Sequence, residues 1–257
     1  MASRTAWVTP EMEGKKRLAP ALRPFLGLAR LAHAFAEHAL RLRASSPLDQ
    51  VTEVQARLLV QASNQLRILE LAAERGYPLQ ALGAAATLYE NVSALAYMHG
   101  DASKAAEWFR HTDSENTYPP AKKRATGIRF MLAATGVPAR EVEALVATWE
   151  DHHTRFCAAK HGNPVLLKKY GVSRDERQLK LHLGPLSGPA YLLLSRMALY
   201  HGSRLLADAS VLLATPSLNS KGVATRRFKA ARRRILNRIN QLATVRTLST
   251  SADGSAA

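Results

Sequence analysis

The sequence predicts an all-α fold, an antiparallel helical bundle with an appended basic C-terminal helix. Three observations carry this. Ala and Leu supply most of the apolar residues of a chain that is 47% hydrophobic and 6% aromatic, which favours close-packed helices over a sheet. Apolar residues recur at intervals of three and four over long stretches. Pro and Gly fall between those stretches at helix-length intervals.

Pro24 reads as the opening of a first helix through Phe25, Leu28, Leu31, Phe35 and Leu42. Ser46-Pro47 breaks it, and a second helix runs from about Leu48 to Arg75, where Gly76 stands at the position that a left-handed C-cap requires. Pro78 suits the first turn of a third helix that ends near Gly100. Asp101 then caps a short amphipathic helix expected to turn Ala105, Trp108 and Phe109 inward. A polar loop over His111–Pro120 precedes two more helices, about Ala121–Thr135 and Pro138–His161. Asn163-Pro164 starts one turn that Gly171 ends, and the alternating run Gln178–Leu183 reads as extended linker, since a lone short strand has no partner. Pro189 opens a long apolar helix to about Ala214, and a last helix covers about Ala224 to Arg246.

The expected organisation is a flexible segment over 1–20, a bundle over 21–220, a basic amphipathic helix over 221–246 and a disordered tail over 247–257. Half of the net charge of +16 lies in the last part, where nine basic residues from Lys221 onward face the single acid Asp253. Met1–Arg17 lacks the apolar core of a signal peptide. The single Cys157 excludes an intrachain disulfide, and a reducing cytoplasm is the expected location. The Tyr77–Met98 run has the length of a membrane span, but Pro78, Gln80, Asn91 and Glu90 argue against one.

Glu90 is the sole carboxylate of that run. A helix apolar almost all round is buried, and a carboxylate on it needs a hydrogen-bonded or charged partner. Glu90 is thus either a member of a structural ion pair or the edge of a functional site. Its helical face holds Gly83, Ala86, Thr87, Ala94 and Tyr97. Ala86, one turn earlier, offers no charge, so any cationic partner must come from another helix. His153, Cys157 and His161 fall at i, i+4 and i+8 with Glu150 just before them, a stripe of potential metal ligands. The first and last stand about 12 Å apart along the axis and cannot share one ion, so a zinc site would need two of them with ligands from elsewhere. A core-facing Cys with partly exposed His is the expected arrangement, with neither a metal nor a cofactor.

From about Val51 to Gly171 the chain resembles a large, mostly bacterial family of uncharacterised all-helical domains. Three segments carry the resemblance: the Ala-rich helix with Leu88-Tyr89-Glu90 after Gly76, the acid-capped helix with Trp108 and Phe109, and the helix end Cys157-Ala-Ala-Lys-His161-Gly162-Asn163. The resemblance implies that Glu90 and His161 are the polar positions that matter. Arg155 and His161 also match the loose Arg-x(4–6)-His pattern of HEPN-type ribonucleases, as do Arg177–His182 and Arg196–His201. In that similarity His161 would be the general acid or base and Arg155 the phosphate clamp, beside Glu90, in a metal-independent ribonuclease of a defence or toxin system.

The last helix carries an apolar stripe of Phe228, Ala231, Ile235, Ile239 and Leu242, with Arg226, Arg227, Lys229, Arg232, Arg233, Arg234 and Arg238 on its other faces and no acid among them. Such a helix docks by its stripe or meets an anion, and guanidinium groups suit phosphate. Removing it is expected to leave the bundle folded. No phosphate-binding Gly loop, Gly-x-Ser-x-Gly elbow, His-Glu-x-x-His pair or dinucleotide fingerprint is present. The function expected is binding, with nucleic acid or another polyanion as partner of the basic helix. The alternatives are the ribonuclease and a helical scaffold that meets an acidic protein.

Overall fold

The computed structural model describes residues 5–44, 49–112, 118–161, 172–175, 178–181, 189–218 and 222–252. Its helices are α1 (Thr5–Ala44), α2 (Gln50–Arg75), α3 (Pro78–Tyr97), α4 (Ala102–Arg110), α5 (Ala121–Ala134), α6 (Ala139–Lys160), α7 (Pro189–Ala214) and α8 (Val223–Ala252). The fold is an all-α bundle, as the residue pattern predicts. No helix among the described residues is long and apolar enough to cross a membrane.

Helix α3 is the centre, packed against α2, α5, α6 and α7. Its sequence explains that place. Ala81, Ala84, Ala85, Ala86, Ala94 and Ala96 are all buried and present little bulk, so neighbours approach on several sides. The closest approach is at Gly127 of α5, where an added Cβ would lie 2.5 Å from the Ser93 carbonyl oxygen and 2.8 Å from the Tyr97 nitrogen. The caps at Gly76 and Asp101 hold where the sequence places them, and Asp49 adds one at the start of α2. Asp49 accepts from the Thr52 amide at 2.6 Å, Asp101 from the Lys104 amide at 3.1 Å, and Gly76 ends α2 in the left-handed region at φ 89°. Only Tyr77 separates Gly76 from the Pro78 that opens α3, so α2 and α3 lie antiparallel side by side.

Four expectations need correction. Helix α1 does not begin at Pro24 but runs unbroken from Thr5 through Pro20 and Pro24, and residues 5–20 are helix, not a flexible segment. Leu18, Leu22, Leu26 and Ala29 are buried and continue the 3–4 spacing across both prolines, so packing outweighs the lost backbone bonds. The run Gln178–Leu183 finds its partner next door. Gln178–Leu181 pairs antiparallel with Val172–Asp175, Asp175 opposite Gln178 and Val172 opposite Leu181. On α4, Ala105 is buried and Trp108 packs on the core, but Phe109 is 41% exposed. The turn expected at Asn163–Gly171 lies outside the described residues.

The fourth correction concerns α8. It extends to Ala252, so the expected disordered tail begins as helix. Its stripe is part of the main core: Phe228, Ile235, Ile239 and Leu242 are all buried, and Phe228 stacks on Phe35 of α1 with centroids 4.6 Å apart. The helix is basic on its outside and core on its inside.

Candidate functional site

One stripe of α6 runs through Glu150, His153, Cys157 and Lys160, spaced three and four apart, and faces α3 at Tyr89 and Glu90. The Tyr89 hydroxyl donates to the Glu150 carboxylate. Burial and then the Glu150 bond and charge push that phenol far above the usual tyrosine range. The His153 ring stacks on Tyr89, centroids 4.5 Å apart and 28° from parallel. That contact aims its Nε2 at Glu90 Oε1, 3.4 Å away, and at the Cys157 sulfur, 3.1 Å away. Cys157 Sγ lies 4.0 Å from the same Glu90 oxygen. Lys160 Nζ donates to the other one, Oε2, at 2.7 Å, and Arg124 of α5 places Nη1 4.0 Å from Oε1.

Glu90 therefore meets its cations from other helices, as Ala86 requires. Its side chain is 13% exposed. Burial disfavours its charge, but hydrogen bonds from His153 and Lys160 and the charges of Lys160 and Arg124 outweigh burial and hold the carboxyl at about 2. Burial likewise opposes charge on His153, yet its bonds to Cys157 and Glu90 raise it to about 9. At neutral pH one carboxylate thus faces imidazolium, ammonium and guanidinium.

The cluster forms the floor of an open cleft of ≈ 650 Å³. Glu90, Cys157, Arg124, Lys160 and His161 line it, with Lys123, Tyr97 and Tyr118 around them. The Tyr118 hydroxyl donates to Glu107 at 2.8 Å.

Of the three residues expected to act together in catalysis, two reach this cleft. Glu90 and His161 line it, His161 as the exposed residue that ends α6. Arg155 does not line it; its side chain is 66% exposed and its Nε pairs with Asp151 one turn away, at 3.0 Å. From the ligand stripe, His153 and Cys157 meet Glu90, whereas Glu150 is held by Tyr89. Sequence reasoning missed Lys160 and Arg124. Lys160 continues the stripe three residues beyond Cys157, a signal that the periodicity contains. Arg124 gives none, since α5 carries basic residues at four positions in its first nine.

On α8, five of the seven cations expected to contact nucleic acid are exposed: Arg226, Arg227, Lys229, Arg233 and Arg234. None of the five makes an ion pair among the described residues, and α8 itself contains no acid. The other two are partly buried and held by backbone: Arg232 Nη2 donates to the Thr135 carbonyl at 3.1 Å and Arg238 Nη2 to that of Pro24 at 3.4 Å.

Compared with known protein families, curated proteins and solved structures, the chain matches none.

Proposed function

We propose that this protein binds nucleic acid in the cytoplasm, through phosphate contacts along the outer face of α8. The observation that supports this is the row of five exposed, unpaired cations on a helix whose other side is fixed in the core. A loose basic tail would lose conformational entropy on binding. This helix is already ordered, with the Phe228–Leu242 stripe and the anchors of Arg232 and Arg238 setting its rotation. Arg226 to Arg234 spans about 12 Å of helix axis, room for several phosphates of one strand.

Contacts of this kind fix position without reading sequence. Five of them on a duplex predict a slope of log K against log salt of about −4.5. The experiment is anisotropy titration of the full chain with labelled single- and double-stranded DNA and RNA across a salt series. Replacing Arg233 and Arg234 by Gln should flatten the slope by about two and weaken all sequences alike. Absence of salt-sensitive binding at low ionic strength would overturn the reading and turn attention to an acidic protein partner. The ribonuclease reading has less support, because Arg155 points to Asp151 and away from the cleft that His161 lines.

A further inference from the structure

We infer that Glu90, His153 and Cys157 form a three-ligand site for a divalent ion of the zinc class, with its fourth position open to the cleft. The inference is independent of α8. One ligand atom from each of the three lies within 4.8 Å of both others. The separations are 3.1 Å for Sγ and Nε2, 3.4 Å for Nε2 and Oε1, and 4.0 Å for Sγ and Oε1. Tetrahedral bonds to N, O and S ligands, roughly 2.0–2.3 Å long, put neighbouring ligand atoms about 3.3–3.6 Å apart. Each observed separation is within about half an ångström of that range, a shift that side-chain rotation supplies.

The donor set selects the ion. A thiolate with an imidazole and one carboxylate suits Zn²⁺ or Co²⁺, whereas Mg²⁺ and Ca²⁺ demand oxygen. Three protein ligands with an open position also match catalytic zinc sites, which keep their fourth place for water or substrate. Here Glu90 and Cys157 reach the cleft while His153 is buried behind them. The imidazole is oriented by its stacking on Tyr89, itself tied to Glu150. Lys160 occupies Oε2 and leaves Oε1 for the metal, so Glu90 binds through one oxygen.

Coordination uses the Nε2 lone pair of His153 and the thiolate of Cys157, so any proton on either atom leaves to solvent as the ion enters. Lys160 and Arg124 beside the site favour a small anion or hydroxide at the fourth position. The ion would cross-link α3 to α6.

The test uses the full chain, stripped with chelator and then titrated with Co²⁺ or Zn²⁺. One ion per chain is expected, with a thiolate-to-Co²⁺ charge-transfer band that disappears in Cys157→Ser. Cys157 is the chain's one thiol, so its reaction with a disulfide reagent reports directly on the site and should slow at least tenfold when Zn²⁺ is present. Lys160→Gln removes a competing cation and should tighten binding roughly two- to fivefold, while Arg233→Gln on α8 leaves it unchanged. The inference falls if Zn²⁺ does not slow the thiol reaction, or if the band survives Cys157→Ser or is lost in Arg233→Gln. Should Cys157→Ser fail to fold, the thiol rate in the wild type decides alone.

Discussion

Cutting the chain before Gly222 removes the α8 residues Phe228, Ile235, Ile239 and Leu242, whose exposures lie between 0% and 4%. At about 1.5–3 kcal/mol for each fully buried side chain, the helix contributes roughly 6–12 kcal/mol of apolar burial. The surface it uncovers on α1, Phe35 included, adds to that. The whole stability of a domain is about 5–15 kcal/mol, so the truncated chain should lose its cooperative unfolding transition. Phe228→Ala is the graded version. It should cost about 3–5 kcal/mol for the cavity, with roughly 1 kcal/mol more for the stack on Phe35. In a chain of this size that lowers Tm by roughly 8–24 °C. Urea denaturation followed by circular dichroism measures both. A truncated protein that unfolds at the same midpoint, or a Phe228→Ala cost below about 1 kcal/mol, would refute the placement of α8 in the core.

Glu90→Ala should cost about 2–4 kcal/mol in denaturant titrations, because His153, Lys160 and Arg124 lose their shared counter-charge; a neutral effect would mean that the cations are solvated independently. Gly127→Ala should cost about 1–3 kcal/mol through overpacking against the Ser93 carbonyl, and an unchanged midpoint would show that α5 can move off α3 freely. Burial pushes the Asp208 carboxyl up to about 6 from an ordinary 3.8, against the opposing charges of Arg204 and Arg232. Both states hold the proton below the lower value; between the two only the unfolded chain releases it, so Asp208 withdraws about 3 kcal/mol as pH rises through that window and nothing more above it. The stability of Asp208→Asn relative to wild type should therefore rise by about that amount from about pH 3 to about pH 8, and a difference independent of pH would show that Asp208 keeps its charge when folded.

What the sequence made legible is what is local or periodic. Gly76, Pro78 and Asp101 mark helix ends within a residue or two because a helix end is decided by the residue there and its nearest backbone groups. The burial of α3 follows from composition alone. Glu90 could be read one step further, since Ala86 one turn earlier offers no charge and its partner must come from another helix. The identity of that partner is tertiary: Lys160 and Arg124 lie 70 and 34 residues away, and no pattern within either helix names the other. The N-terminal misreading has a different source. Pro24 suits a helix start, but the buried stripe Leu18, Leu22 and Leu26 carries the helix on through it. On α8 the charges drew attention outward, although the spacing of Phe228, Ile235, Ile239 and Leu242 already carried the inward face.

The position of α5 separates the two candidate sites. Its first turn supplies Lys123 and Arg124 to the cleft, and the Thr135 carbonyl just past its end accepts from Arg232 of α8. Fourteen residues at 1.5 Å each put those ends about 20 Å apart. That exceeds the Debye length of roughly 8 Å at physiological salt, so the exposed cations of α8 and the charges around Glu90 act on different ligands. Substitutions at the two places should therefore add: Arg233→Gln with Arg234→Gln should change the salt slope and leave metal affinity alone, while Cys157→Ser should do the reverse. Coupling between them above about 0.5 kcal/mol would require α5 to move as a rigid lever between the cleft and α8. Gly127, locked against the α3 backbone midway along it, opposes that movement.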